Sequence, residues 1–267
     1  MLQVKALNKR FASTHAVKEV SLEIAKGEMV GVIGSSGAGK STMLRLLNRL
    51  IEPSSGQVIF DGRDITALKG KELRHWRAQC AMIFQQFNLV PRLDVLTNVL
   101  LGRVSYNPTL PMMIRHFSAS DRALAAQALE RVNLLPQALQ RADTLSGGQQ
   151  QRVAIARALI QQPQIILADE PIASLDPRNA QMVMDSLREI NQRDGLTVLC
   201  NLHTLDTAKH YCDRIVAMQH GAVVFNGSPE QLDSKTIRAI YGGQSDAQDL
   251  IEGITSTSLT AKVAVPA

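Results

Sequence analysis

The sequence is poor in aromatic side chains: its 267 residues include six phenylalanines, three tyrosines and one tryptophan. Proteins that bind single-stranded nucleic acid by base stacking need several aromatic side chains along a groove, so this class is disfavoured. The formal net charge of +5 leaves another nucleic-acid interpretation open, a basic binding face. The basic excess is scattered over the first 75 residues, however, and a solvated surface with one polyanion-binding loop accounts for it as well.

Cysteine and long apolar runs are also scarce. Cys80, Cys200 and Cys212 have neither metal-ligand nor redox spacing, and their odd number disfavours a disulfide framework, so a reducing compartment fits. No apolar run approaches the about 20 residues that a membrane-spanning helix needs. The N-terminal residues lack the apolar core of a secretory signal. We therefore expect any membrane role to come through a partner protein.

Short apolar runs alternate with amphipathic stretches along the chain. Residues 29–33 and 165–168 are uninterrupted apolar runs, which are typical of strands buried on both faces of a parallel sheet. Residues 2–7 and 20–24 alternate instead and predict an antiparallel addition. Further strands are predicted at 57–60, 80–84, 197–202 and 215–218, and helices at 41–50, 119–132, around 153–160 and around 183–190.

This pattern predicts an α/β fold with one inserted region. Residues from about 88 to 160 lack a clear strand and are rich in helical patterns, so we expect an inserted helical subdomain there. The last residues, 243–267, contain no aromatic side chain and many small ones, which predicts a weakly ordered tail. The predicted domain therefore spans residues 1–242.

One segment carries a complete phosphate-binding pattern. The residues from Gly34 to Ser41 are G-S-S-G-A-G-K-S and match G-x-x-x-x-G-K-[ST] between a predicted strand and a predicted helix. Its glycines let backbone N–H groups point at phosphate oxygens, and the helix start adds partial positive charge. We expect Lys40 to reach the β- and γ-phosphates of a nucleotide and the Ser41 hydroxyl to bind Mg²⁺. The predicted nucleotide contacts are Gly34, Ser35, Ser36, Gly37, Ala38, Gly39, Lys40, Ser41 and Thr42.

Two carboxylates end the apolar strand at 165–168. Because side chains alternate along a strand, Asp169 and Glu170 face different directions. Asp169 fits the metal ion, and Glu170 fits the base that polarises the attacking water. Solvated acids at the end of a strand are the alternative, which the nearby phosphate loop disfavours.

A second possible anion site lies at residues 145–149, which are L-S-G-G-Q. Ser146 suits the N-cap of the following helix, and the paired glycines Gly147 and Gly148 expose backbone N–H groups. A plain capped helix would fit these five residues equally well.

Taken together, these segments resemble the ATP-binding subunits of ABC transporters, whose signature is LSGGQ. The resemblance covers about residues 1–240 and implies a P-loop NTPase core with a mainly parallel sheet, an antiparallel β addition and an inserted helical subdomain. It implies that Gln85 is the Q-loop glutamine, Asp176 the D-loop aspartate and His203 the switch histidine. It also implies that Phe11 lies against adenine, although an aromatic in an N-terminal hairpin is more usually core.

The family resemblance further implies how the site is assembled. Two copies close head to tail around two ATP molecules with Mg²⁺, so that the signature of one copy faces the phosphate loop of the other. Glu170, His203 and Gln85 are then catalytic, and Ser41, Gln85 and Asp169 bind the metal. The nucleotide contacts expected at the signature and the D-loop are Ser146, Gly147, Gly148, Gln149 and Asp176. Of these, Ser146, Gly148 and Asp176 come from the partner copy.

Residues 84–90, 168–177 and 201–203 resemble the phosphonate-importer branch more closely, as do segments 102–120 and 211–216. This implies an ATPase that energises a binding-protein-dependent importer of phosphonates. Its implied partners are a transmembrane permease and a periplasmic or lipid-anchored solute-binding protein, with no nucleic acid. The implied location is the cytoplasmic face of the inner membrane, reached through the permease.

Several alternatives stay open at this point. An importer of phosphite, methionine or polar amino acids would look similar, because the transported solute does not touch these residues. A non-transport ABC ATPase acting on DNA or ribosomes belongs to a different class. DNA-repair members carry long heptad arms and ribosome-acting members carry two ATPase units, whereas this sequence has neither feature. A P-loop kinase would not need LSGGQ.

Overall fold

Two β-sheets and the helices around them make up the computed structural model, which describes residues 1–105 and 117–241. The strands of these residues are β1 (Leu2–Phe11), β2 (Thr14–Ile24), β3 (Met29–Ile33), β4 (Ser55–Phe60), β5 (Arg63–Asp64), β6 (Cys80–Ile83), β7 (Ile165–Asp169), β8 (Thr197–Asn201), β9 (Arg214–Gln219) and β10 (Ala222–Gly227). The helices are α1 (Lys40–Leu47), α2 (Gly70–Gln79), α3 (Val95–Leu100), α4 (Ala119–Arg131), α5 (Gly147–Leu159), α6 (Pro177–Asp194), α7 (Leu205–Tyr211) and α8 (Ser234–Tyr241). Within the same residues, no helix has both the length and the hydropathy needed to cross a bilayer.

The larger sheet has six strands in the order β10-β9-β3-β8-β7-β6. Neighbouring strands are parallel except for β10, which pairs antiparallel with β9 at the edge. Every residue of β3, β7 and β8 is buried, as their continuous apolar runs predict. The predicted α/β fold with a mainly parallel sheet is therefore confirmed, and the carboxyl ends of its central strands meet at one edge.

The smaller sheet is antiparallel, in the order β2-β1-β4-β5, and forms the predicted β addition. Its β1–β2 hairpin is longer than the sequence suggested, because pairing continues from Leu2 with Ile24 to Phe11 with Thr14. One buried cluster joins this sheet to α1 and to one face of the larger sheet, including Val4, Leu22, Leu44 and Val32. Helix α1 is thus held between the two sheets.

Helices pack on the other face of the larger sheet. Val99, Leu129 and Val153, from α3, α4 and α5, are fully buried in one cluster with Ile166 and Val198 of the sheet. Between residues 88 and 160, the described part contains helices and one isolated bridge, from Asp94 to Arg141, but no named strand. The subdomain and domain boundaries remain predictions, and the tail at 243–267 lies outside the described residues.

The sequence pattern did not assign the strands β5 and β10 or the helices α2, α3, α7 and α8. Helix α2 buries only Trp76 and Ala78, so it has no continuous apolar stripe to predict it. Strand β10 has no fully buried residue, because it lies at the sheet edge. Helix α1 also ends earlier than predicted, at Leu47, and Arg49 beyond it has a positive φ of 59°.

Candidate functional site

The phosphate loop connects β3 to α1, and its shape depends on two glycines. Gly34 and Gly39 have φ angles of 142° and 98°, which side chains of L residues rarely adopt. A Cβ at Gly34 would overlap the carbonyl oxygen of Met218, and one at Gly39 would overlap that of Ala16. Helix α1 has no side-chain cap, so the N–H groups of its first turn have no side-chain partner. The loop and helix start therefore offer donors to an anion.

Lys40 is the buried cation of this loop, with only 5% of its surface exposed. Its Nζ donates to the carbonyl oxygens of Gly34, at 2.7 Å, and Ser35, at 3.0 Å. Burial lowers the pKa of Lys40 from its usual value, and the negative charges of Glu170 and Asp169 oppose that shift. A cation in this setting favours an anionic ligand beside it.

Ser41 and Asp169 meet next to the lysine. The Ser41 hydroxyl donates to Oδ1 of Asp169 at 2.7 Å, and Arg45 contacts Oδ2 at 3.3 Å. Asp169 is 2% exposed and is the last residue of β7, where the strand ends meet α1. Hydroxyl and carboxylate oxygens are ligands that Mg²⁺ accepts, especially together with substrate phosphates. The described residues contain no cluster of three or more His, Cys, Asp or Glu suited to a metal, so a metal here would need nucleotide oxygens.

Glu170 faces a different partner, as strand alternation predicts. Oε1 of Glu170 lies 2.7 Å from Nε2 of His203. Glu170 has a positive φ of 52°, a conformation uncommon for a residue with a side chain. His203 follows the end of β8, so two parallel strands place this pair at the same sheet edge.

A cavity of about 550 Å³ joins these groups. Its wall on the larger-sheet side consists of residues 36–42 with Glu170 and His203. The opposite wall comes from residues 13–16 and 18 of the β1–β2 hairpin and from His220 and Gly221 before β10. Phe11 is 44% exposed and pairs in the hairpin with Thr14 of that wall, while Nζ of Lys9 lies 4.8 Å from its ring centroid.

The signature residues lie on a different surface. Ser146 is an exposed N-cap of α5 that exchanges two hydrogen bonds with Gln149, in a capping box. A Cβ at Gly148 would overlap the side chain of Asn179 in α6, and one at Gly147 would lie 3.4 Å from Leu175. This helix start thus packs against the D-loop region of its own chain and lines no wall of the 550 Å³ cavity.

Asp176 and Gln85 are also separate from the phosphate loop. Asp176 is exposed and caps α6, where it accepts a hydrogen bond from the N–H of Asn179 at 3.0 Å. Gln85 is exposed and lines a second cavity, of about 710 Å³, with Gln150 and Ser174. Of the three predicted metal ligands, the structure therefore brings Ser41 and Asp169 together but not Gln85.

Sequence reasoning missed several polar residues around the cavity, of which four stand out. His15 and His220 line its outer wall, and Arg45 and Asn201 contact Asp169. The two histidines had no signal in the sequence, because hairpin and strand pairing bring them there. Asn201 had one: it is an amide at the end of an apolar strand, a position where burial requires a hydrogen-bond partner.

Known proteins match this chain over most of its length. Residues 17–173 match the family described as ABC transporter. The phosphonates import ATP-binding protein PhnC of Rhizobium meliloti (strain 1021) is 56% identical over 100% of this chain and 94% of its own length. The protein of the same name from Rhizobium johnstonii is 58% identical, over 98% of this chain and 94% of its own length.

Solved structures agree with the fold. The dimeric post-hydrolysis state of the ATP-binding cassette MJ0796 bound to ADP and Pi has a TM-score of 0.76 and 35% identity, covering 87% of this chain and 100% of that one. The ADP conformation of MJ1267, an ATP-binding cassette of an ABC transporter, has a TM-score of 0.78 and 28% identity. The match covers 91% of this chain and 99% of that one.

Proposed function

This chain belongs to the ABC transporter family, and we propose that it is the ATP-hydrolysing subunit that energises an importer of phosphonates. One observation carries the ATPase assignment: the phosphate-loop hydroxyl of Ser41 donates to Asp169 beside the Glu170–His203 pair. The assignment of phosphonates as the solute is supported by the names of the relatives, whose similarity extends over nearly the whole chain. An importer of phosphite, methionine or polar amino acids is the alternative.

ATP binds in the 550 Å³ cavity in this proposal. Its phosphates accept hydrogen bonds from the loop N–H groups between Gly34 and Thr42, and Lys40 contributes the positive charge. Support comes from the two glycines that no side chain could replace and from the free N–H groups at the start of α1. The adenine lies on the hairpin side of the cavity, near Phe11.

Ser41 and Asp169 are the chain's proposed Mg²⁺ ligands, with Gln85 as a third candidate. When bound, the metal neutralises charge on the phosphate oxygens. The hydrogen-bonded pair of hard oxygen donors supports the first two residues. Gln85 is supported by the family pattern alone, because it lines another cavity.

Glu170 is the proposed general base. It accepts a proton from the water whose oxygen bonds to the γ-phosphorus, while the bond from that phosphorus to the β–γ bridging oxygen breaks. The bridging oxygen keeps the electron pair, and the products are ADP and inorganic phosphate. His203, 2.7 Å from Oε1, orients the carboxylate towards the water.

A second copy of the chain completes each site in this proposal. The partner supplies Ser146, Gly148 and Asp176, which line no part of the phosphate-loop cavity of their own chain. The dimeric cassette among the structural neighbours supports this arrangement. A transmembrane permease and a solute-binding protein complete the importer, which holds this chain at the cytoplasmic face of the inner membrane.

Replacing the chain with its Glu170→Gln variant in the strain that carries it tests the function. We expect uptake of radiolabelled methylphosphonate and aminoethylphosphonate to stop, while growth on inorganic phosphate continues. The Glu72→Gln variant is the control, because Glu72 pairs with Arg63 on the surface away from the cavity. Undiminished phosphonate uptake contradicts the proposed solute. Loss of phosphite or methionine uptake alone would assign the chain to that importer instead.

A further inference from the structure

We propose that Asn201 is a positioning residue of the nucleotide site, whose amide holds Ser41 and Asp169 in the arrangement that binds a divalent cation. This inference depends on the proposed ATPase function and adds to it a role for Asn201, to which the family resemblance assigns none. Asn201 is the last residue of β8 and is directly opposite Asp169 in the parallel register of β7 and β8.

Three side chains form a closed triangle at this point. Nδ2 of Asn201 donates to Oδ1 of Asp169 at 2.9 Å and to Oγ of Ser41 at 3.2 Å. The third side is the 2.7 Å hydrogen bond from Ser41 to Oδ1 of Asp169. Asn201 is fully buried and Asp169 is 2% exposed, so solvent does not compete for these bonds. The triangle links β7, β8 and α1, which are distant in sequence.

The orientation of the Asn201 amide follows from its neighbours. Both atoms that face Nδ2 are oxygens that accept hydrogen bonds here, so a flipped amide would place Oδ1 against a carboxylate. Oδ1 is buried and has no hydrogen-bond partner among the described residues. An unpaired buried amide oxygen is unfavourable, and the strand before it is apolar. The hydrogen bonds that Nδ2 donates therefore explain an asparagine at this position better than packing does.

Counting lone pairs shows what this donor does. A serine hydroxyl has one hydrogen to donate and two lone pairs. The Ser41 hydrogen goes to Asp169 and one lone pair accepts from Asn201, which leaves one lone pair for a cation. Oδ1 of Asp169 accepts two hydrogen bonds, and Oδ2 accepts one from Arg45, so one lone pair remains there too. Asn201 thus fixes both candidate ligands and leaves each with one free site.

Comparing ATP affinity with excess Mg²⁺ and with EDTA tests this role directly. Both measurements use chains that also carry Glu170→Gln, so that hydrolysis does not intervene. Leucine has the same number of side-chain heavy atoms as asparagine and the same branching at Cγ, and Asn201→Leu removes both donated hydrogen bonds. We expect its ATP affinity in EDTA to stay close to that of the reference chain. The ratio of its ATP affinity in Mg²⁺ to that in EDTA should be about 10- to 100-fold smaller than in the reference chain, as for other residues that orient metal ligands.

Val198→Ala is the matched control. Val198 is equally buried in β8 but faces the opposite side of the sheet, so its truncation weakens the strand without touching the triangle. We expect this variant to keep the full Mg²⁺ effect. Asn201→Ala, which is smaller and has no side-chain donor, provides a second variant in case leucine prevents folding, and we expect the same loss from it.

Two outcomes separate this inference from the proposed function. If Mg²⁺ tightens ATP binding by the same factor in the reference chain and in the folded Asn201 variants, Asn201 has only a structural role and the inference is wrong. If the reference chain itself does not bind ATP, the proposed function fails.

Discussion

Helices α1 and α5 both begin at a glycine-rich segment, but the two helix starts differ in almost every other respect. The start of α1 has no side-chain cap, contains a buried lysine and lines a cavity with Asp169 and Glu170 nearby. The start of α5 is closed by the capping box of Ser146 and Gln149 and lies at an exposed surface. In the proposed dimer, the start of α1 forms half of a nucleotide site, and the start of α5 completes the site of the other copy.

Their supporting contacts differ in the same way. Around α1, the buried carboxylate of Asp169 binds groups from β8 and from α1 itself. Around α5, Gly148 packs closely on Asn179, which also binds Asp176. The signature and the D-loop therefore pack against each other, apart from the phosphate-loop cavity. In the proposed dimer, these two segments serve the nucleotide of the second copy.

The largest effect is expected from Glu170→Gln, which alters the chemistry on the α1 side alone. Loss of a general base typically lowers kcat by about 10²- to 10⁴-fold, and glutamine cannot accept the proton from water. ATP affinity should stay unchanged, because Lys40 and the loop remain intact. Steady-state hydrolysis and equilibrium ATP binding measure the two effects.

Size-exclusion chromatography of the same variant extends this prediction. With hydrolysis blocked, ATP should hold two chains together, and removing ATP should release them. Hydrolysis at the normal rate would exclude Glu170 as the base. Wild-type rates from Glu72→Gln would show that the loss is specific to the site.

Lys40→Ala should have the next largest effect. Each hydrogen bond to a charged group contributes about 1.5–3 kcal/mol, which corresponds to about 10- to 100-fold in ATP affinity. Lys26→Ala is the control, because Lys26 pairs with Asp61 at the surface and does not line the cavity. Isothermal titration would show the difference, and equal affinities in the two variants would contradict the role of Lys40.

The comparison also shows what the sequence could predict. The phosphate loop was predictable because its glycines, lysine and serine are contiguous, and Asp169 and Glu170 because they end an apolar strand. His15 and His220 reach the cavity, and Asn201 reaches Asp169, through pairings between distant segments, which a local pattern does not contain. The roles of Gln85 and Phe11 remain predictions from the family pattern, since neither contacts the Ser41–Asp169 pair.

Ser146→Arg isolates the α5 side of the comparison, because it adds bulk and charge at the signature and leaves the phosphate loop untouched. Mixing it with Lys40→Ala chains puts both lesions in one composite site and none in the other. If the signature acts on the partner's nucleotide, ATP hydrolysis should recover towards one working site per mixed dimer. Verified mixed dimers without recovery would count against that arrangement.

The most direct measurement of the central claim is the ATP affinity of Ser146→Arg as a folded monomer, with folding checked by circular dichroism. We predict that the variant binds ATP as tightly as the unmodified chain does, because the monomer's own phosphate loop, with Lys40 and Ser41, binds the nucleotide without its signature. In a chain that also carries Glu170→Gln, the same substitution should prevent ATP from holding a dimer together. A folded Ser146→Arg monomer that no longer binds ATP would contradict the claim that the signature serves a second copy.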